Sequence, residues 1–131
     1  MPTYSEDILR LAETTPIAIQ ETSPSAELAN RLCGDRVTLG INLDGDAIRQ
    51  IEWRVEGCAI LKASVAYLAR NLRGKEIAQA RDVAQRFAES FEKENEFRTG
   101  PLGAVYNLPA RYKCALLPWQ AFENLLRELK R

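Results

Sequence analysis

A chain of 131 residues with 46% hydrophobic and 27% charged side chains has material for one core, and its make-up is that of a globular domain, not of a disordered, collagenous or coiled-coil chain. The 18 Lys and Arg balance the 18 Asp and Glu, so the total charge carries no footprint of a nucleic-acid or anionic-membrane binder. Histidine is absent, which removes imidazole bases, Ser-His and Cys-His nucleophile pairs, and every His metal ligand.

Residues 4–13 read as a short helix behind a cap rich in Ser and Asp, with Ile8, Leu9, Leu11 and Ala12 on one face. Two prolines and scattered Ser and Thr follow, and residues 25–29 are the candidate edge strand. Val37, Leu39, Ile41 and Leu43 then alternate with Thr38, Gly40 and Asn42, the period of a strand with one buried face. Asp44-Gly45-Asp46 signals a hairpin, and Ile51, Trp53 and Val55 alternate with charged residues on the returning strand. Ile48 has the wrong parity for that strand, so either it precedes the paired segment or a bulge resets the phase.

After Gly57 the period becomes helical: Cys58, Leu61, Val65, Leu68, Ala69 and Leu72 form one stripe, with Gly74 placed to end it. Ile77, Ala80, Ala84, Phe87 and Phe91 mark a second amphipathic helix. Leu116, Trp119, Phe122, Leu125, Leu126 and Leu129 mark a third, with Pro118 in its first turn, where a missing N–H costs nothing. Residues 94–109 show no period and read as a loop. The expectation is an α+β fold: one compact domain over residues 1–131, with a short N-terminal helix, an antiparallel sheet of two to three strands, and helices packed on one sheet face.

Residues 1–30 hold five acids against Arg10, and residues 111–131 hold five bases against two acids, an asymmetry that a solvated surface accounts for. No apolar run approaches the ~20 residues that span a bilayer, and Ser5, Glu6 and Asp7 stand where a secretion signal would be basic and then apolar. A cytoplasmic protein is expected.

The three cysteines, Cys33, Cys58 and Cys114, are an odd number in such a chain, so free thiols are expected in place of a disulfide framework. Cys33 and Asp35 stand two apart before a strand, and in extended chain they share a side roughly 7 Å apart. Cys58 opens one helix and Cys114 precedes another, positions where the helix end favours thiolate. The plainer reading of each is a small buried hydrophobe. Three thiolates and a carboxylate suit tetrahedral Zn²⁺, and the same soft donors suit iron-sulfur chemistry. Zn²⁺ with four such anions leaves a formal charge of −2, which Arg111, Lys113 and Lys62, one turn after Cys58, could offset. The separations of 24 and 55 intervening residues match no common zinc-finger pattern.

The tracts Cys33-Gly34-Asp35-Arg36, Leu43-Asp44-Gly45-Asp46, Glu56-Gly57-Cys58 and Leu108-Pro109-Ala110-Arg111-Tyr112-Lys113-Cys114-Ala115 resemble, in order, the U-type iron-sulfur assembly proteins (IscU, SufU and the NifU N-terminal domain). Lys113 before the last cysteine, where IscU-like members have His, and a long stretch from Cys58 to Cys114 are similar to the SufU branch. The resemblance implies that Cys33, Asp35, Cys58 and Cys114 bind Zn²⁺. It further implies that Cys33 takes persulfide sulfur from a cysteine desulfurase of the SufS or IscS type and passes it to the cluster-assembly machinery, a zinc-dependent sulfurtransferase role. The alternative within the family is a scaffold on which a [2Fe-2S] cluster is built on the three cysteines and handed to apo-proteins. Outside it stands a structural zinc protein or interaction module with unreactive thiols. Neither nucleic acid nor membrane is an expected partner. Ala12-Glu13-Thr14-Thr15-Pro16 replaces the Asn-Pro-Arg-Asn-like stretch typical after the family's first helix.

Overall fold

Ser5 sets the start of the first helix. In the computed structural model, which describes residues 5–129, its hydroxyl accepts the Ile8 N–H at 3.2 Å and α1 runs Glu6–Ala12. Ile8 and Leu11 are buried against the long helix that follows the sheet. Tyr4, part of the expected helix, lies outside the described residues.

Three antiparallel strands lie in the order β1 (Ser25–Asn30), β2 (Asp35–Asp44), β3 (Ala47–Glu56), so β1 is the edge strand that was expected. The register Val37↔Val55, Leu39↔Trp53, Ile41↔Ile51 gathers the alternating apolar residues of β2 and β3 on one face. Gly45 turns the hairpin at φ +63, a conformation side-chain-bearing residues resist. Between Asn42↔Gln50 and Leu43↔Ile48 the register shifts by one residue: Arg49 is extra, and the bulge returns Ile48, fully buried, to the core face.

That face is covered by helices. After β3, α2 (Ala59–Leu72) and α3 (Ile77–Glu89) follow, and α4 (Tyr112–Leu129) is the last element among the described residues, with α2 packed on β3 and α4 on β1, β2 and α2. Gly74 terminates α2 at φ +83, as its position suggests. α3 ends at Glu89, so Phe91 stands beyond the helix, yet its ring stays 5.4 Å from that of Phe87.

One expectation needs correction. The last helix starts at Tyr112, six residues before Pro118, because a 3₁₀ turn at Pro109–Arg111 winds the chain beforehand. Pro118 is therefore inside α4, and the burial of Leu117, Trp119 and Phe122 carries the helix through a site that ordinarily costs about 3 kcal/mol. Residues 94–109 form an ordered loop with 3₁₀ turns at Glu96–Thr99 and Gly103–Asn107, held by the buried Phe97, Leu102 and Val105. Arg98 Nε donates to Ser90 O at 2.7 Å, and Tyr112 Oη donates to Tyr106 O at 2.7 Å, tying this segment to the start of α4.

The outer edge of β3 is also covered. Ile48 exchanges hydrogen bonds with the α2–α3 connection (Ile48 N–H to Lys75 O, 2.8 Å; Gly74 N–H to Ile48 O, 2.7 Å), and Trp53 N–H donates to Ile17 O at 3.0 Å. Residues 14–24 then cross the outer sheet face, where the absence of a side chain at Gly40 lets Ile19 approach. Buried Glu52 fastens this strap by accepting from Gln20 N–H (3.1 Å) and Gln50 Nε2 (3.1 Å). Burial alone would raise its carboxyl, but hydrogen bonds from Ser23, Gln20, Gln50 and Asn42 outweigh that and hold it below the ordinary value. Glu52→Ala strands these donors and should cost about 2 kcal/mol in urea unfolding at neutral pH. Because the folded value is depressed, the Glu52 contribution is present above pH 4.5 and lost as the pH falls below it, so parent and variant should converge in stability on acidification.

Candidate metal centre

The strand parity that buries Val37 and Leu39 also turns Asp35, at the first position of β2, toward the helices, and its side chain is 3% exposed. Opposite it, β3 ends at Glu56 and the chain turns at Gly57 into α2. A Cβ on Gly57 would collide with Asp35 Oδ1 and with Leu61, so glycine is what lets the strand-to-helix junction close over the carboxylate. Cys58 is the N-cap of α2 and half-buried, and Cys114 is the third residue of α4 and 1% exposed. One ligand atom from each of Asp35, Cys58 and Cys114 lies within 4.8 Å of the others.

These donors fit a cation. Asp35 Oδ2 is buried without any hydrogen-bond partner among the described residues, a state that costs free energy unless a positive charge completes it. Four-coordinate zinc, with bonds of about 2.0 Å to oxygen and 2.3 Å to sulfur, holds its ligands about 3.5 Å apart, within the spread seen here. The Cys114 thiol is not thiolate-favouring as the helix-end argument anticipated. Burial, first, and then the neighbouring Asp35 and Cys58 push it up to about 12, because an uncompensated second anion in this pocket outweighs the dipole of α4.

Cys33 occupies a different setting. It lies in the turn between β1 and β2, exposed, and its sulfur is not among the three atoms that converge. The extended geometry expected for Cys33 and Asp35 is replaced by a reversal at Gly34, φ +72, which leaves one residue outside and the other inside. Asn30 organises this turn: its main-chain O accepts from Cys33 N–H (3.2 Å), its Oδ1 from Leu32 N–H (3.2 Å), and its Nδ2 donates to Cys33 Sγ at 3.7 Å. The sequence reading overlooked Asn30, although an Asn three residues before a Cys-Gly pair is a turn signal. Of the cations considered for charge balance, Lys62 and Lys113 are exposed, and Arg111 is half-buried at the entrance to α4. Ser64 was also overlooked: its hydroxyl donates to Ala115 O at 2.5 Å and accepts from Trp119 Nε1 at 3.1 Å, clamping α2 to α4 one turn behind the sulfurs.

Two outcomes follow. Asp35→Ala should lower zinc affinity at least tenfold by competition with a chromophoric chelator, yet raise the unfolding free energy of the metal-free protein by about 1 kcal/mol, since it deletes an unpartnered buried carboxylate. Because the folded Cys114 value lies above its ordinary 9.0, the metal-free protein should lose stability as pH rises from 9 toward 12, and Cys114→Ala should flatten that decline in thermal unfolding.

Known proteins are similar to this chain in sequence and fold. The family model described as the NifU-like N terminal domain matches residues 11–100, a span that holds Cys33, Asp35 and Cys58 and stops before Cys114. The zinc-dependent sulfurtransferase SufU of Bacillus subtilis (strain 168) is 34% identical over 104 residues, covering 75% of this chain and 71% of that protein. The iron-sulfur cluster assembly scaffold protein IscU of Thermotoga maritima is 25% identical over a 136-residue alignment, covering 98% and 95%. The crystal structure of FiSufU, a SUF-system protein of Fervidobacterium islandicum AW-1, superposes with a TM-score of 0.84 at 31% identity, covering 93% of this chain and 95% of that one. With a matching family model over most of its length and the same fold, this chain belongs to the NifU-like N-terminal domain family.

Proposed function

We propose that this chain is a zinc-binding sulfur acceptor in iron-sulfur cluster assembly, a single domain over residues 1–131 with Cys33, Asp35, Cys58 and Cys114 as metal ligands and Cys33 as the acceptor sulfur. The observation that carries this is the convergence of Asp35, Cys58 and Cys114 around a carboxylate oxygen with no hydrogen-bond partner among the described residues. The sulfurtransferase name of the Bacillus relative supports zinc and transfer, and the scaffold name of the Thermotoga relative supports a place in cluster assembly.

Zinc, when bound, supplies a positive charge that keeps the ligating thiols deprotonated. Asp35, Cys58 and Cys114 are held by a strand end and two helix starts, so they form the fixed part of the site. Cys33, on its turn, is the ligand that can leave. As a thiolate it attacks the terminal sulfur of a cysteine persulfide on the donor, a cysteine desulfurase. The donor's S–S bond breaks, a new S–S bond forms at Cys33, and the donor cysteine departs as thiolate, with no net oxidation. Asn30 Nδ2 keeps the Cys33 sulfur on the outer side of the turn, where a donor reaches it. Arg111 and Lys113 offset the negative charge of the ligand set from the start of α4. No helix among the described residues is long and apolar enough to cross a membrane, and all three cysteines are free, which suits a cytoplasmic protein handing sulfur to the assembly machinery.

The second reading, a [2Fe-2S] scaffold on the same cysteines, draws on the near full-length match to a protein named as such. Anaerobic purification separates the two: a colourless protein with about one zinc per chain supports sulfur transfer, and a brown one with equimolar iron and sulfide supports the scaffold. Cys33→Ser should lower persulfide transfer from a SufS-type desulfurase at least a hundredfold, read by alkylation and mass spectrometry of the acceptor. Transfer at the parental rate would overturn the assignment of Cys33.

A further inference from the structure

The two edges of the sheet are treated differently. β3 is covered by Ile17 at its middle and by the α2–α3 connection at its start, whereas the outer side of β1 has no backbone hydrogen bond among the described residues. An open edge presents a row of N–H and C=O groups to any extended chain that reaches it. Beside this edge runs a groove of about 380 Å³ between β1 and α4. Its apolar lining includes Leu28 and Leu116, and its polar rim Asn30, Arg31, Lys113 and Gln120.

Two features give the groove a direction and a sign. Arg31 and Lys113 are both exposed, and neither has a carboxylate within ion-pair distance among the described residues, whereas Arg36, five residues after Arg31, is paired with Glu27 at 3.4 Å. The groove also leads to the exposed sulfur: Asn30 both lines it and holds Cys33 through Nδ2. Between Arg31 and Cys33 stands Leu32, 92% exposed, a large apolar side chain that no intramolecular contact explains.

We propose that the β1–α4 groove is the docking site for an extended, acidic segment of the sulfur-donor protein, which adds along the β1 edge with its carboxylates at Arg31 and Lys113 and an apolar side chain over Leu28 and Leu116. This deepens the sulfur-acceptor reading and rests on it for the identity of the partner. The segment leads the donor persulfide to Cys33, and Leu32 seats against the apolar surface beside it. Opposite charges at the rim speed encounter and make it depend on salt, while the edge and apolar floor hold the register.

The test uses the full chain, zinc-loaded, with a SufS-type cysteine desulfurase, and two variants outside the ligand set. Arg31→Glu reverses the rim charge, and Gln120→Trp fills the groove from α4. Each should raise the Kd for the desulfurase, measured by calorimetry, and the KM for persulfide transfer about tenfold, with kcat within twofold and zinc content unchanged. The parental KM should rise with ionic strength, and less so in Arg31→Glu. Hydrogen exchange at residues 28–30 should slow in the parental complex. Unchanged Kd in both variants overturns the proposal, as does a loss confined to kcat. Concentration-dependent dimerisation of the parent that Gln120→Trp abolishes, with desulfurase affinity intact, overturns it in favour of a second copy of the chain. The direct binding measurement keeps this test separate from that of Cys33: if Cys33→Ser still accepts sulfur while Arg31→Glu binds the donor weakly, the groove stands and the acceptor assignment falls.

Discussion

A carboxylate on the wrong side of a strand organises this molecule. Asp35 begins a strand whose inward positions are otherwise Val37, Leu39 and Ile41, and it faces two helix starts with one oxygen unsatisfied among the described residues. Burying such a group without compensation costs free energy, and two sulfurs within 4.8 Å of it make this point a donor set suited to a cation. Gly57 has to be glycine, Cys58 has to open α2, and the chain has to return through more than fifty residues to bring Cys114 alongside, all to surround one acid.

The return path explains much of the remaining architecture. Phe87 stacks on Trp119 at 4.2 Å, Phe91 packs against Tyr106 and Tyr112, and Ser90 Oγ meets Tyr106 Oη at 2.7 Å. This aromatic block lies between α3 and the first turns of α4, and it fixes where Cys114 emerges. The three converging groups are thereby set apart from Cys33. Two sulfurs and the acid sit on helix and strand ends, while Cys33 lies in the four-residue turn between β1 and β2, organised by Asn30.

Much of the framework was legible because two periods suffice to describe it. Alternation from Val37 to Leu43 and from Ile51 to Val55 defined the hairpin, and the helical stripes from Leu61 and Ile77 defined α2 and α3. Ile48 marked the one place where the period broke, and the residue responsible is the bulged Arg49. Pro118 misled the boundary of α4, because a proline reads as a helix start wherever its missing donor is free, and only tertiary burial of Leu117 and Trp119 shows otherwise. At the site, Cys58 was legible from the Gly57 junction. The inward aim of Asp35 and the outward aim of Cys33 were not, since they hinge on the sign of one dihedral at Gly34.

The small hydroxyl of Ser64 joins the two helices behind the pocket. By gripping Ala115 O and the Trp119 indole at once, it makes the angle between α2 and α4 a property of the core, and both helices carry a cysteine at or near their first residue. The gap between the sulfurs of Cys58 and Cys114 thus depends on how α2 packs against α4. An ion bound between these sulfurs would therefore draw on the same packing that holds α2 against α4.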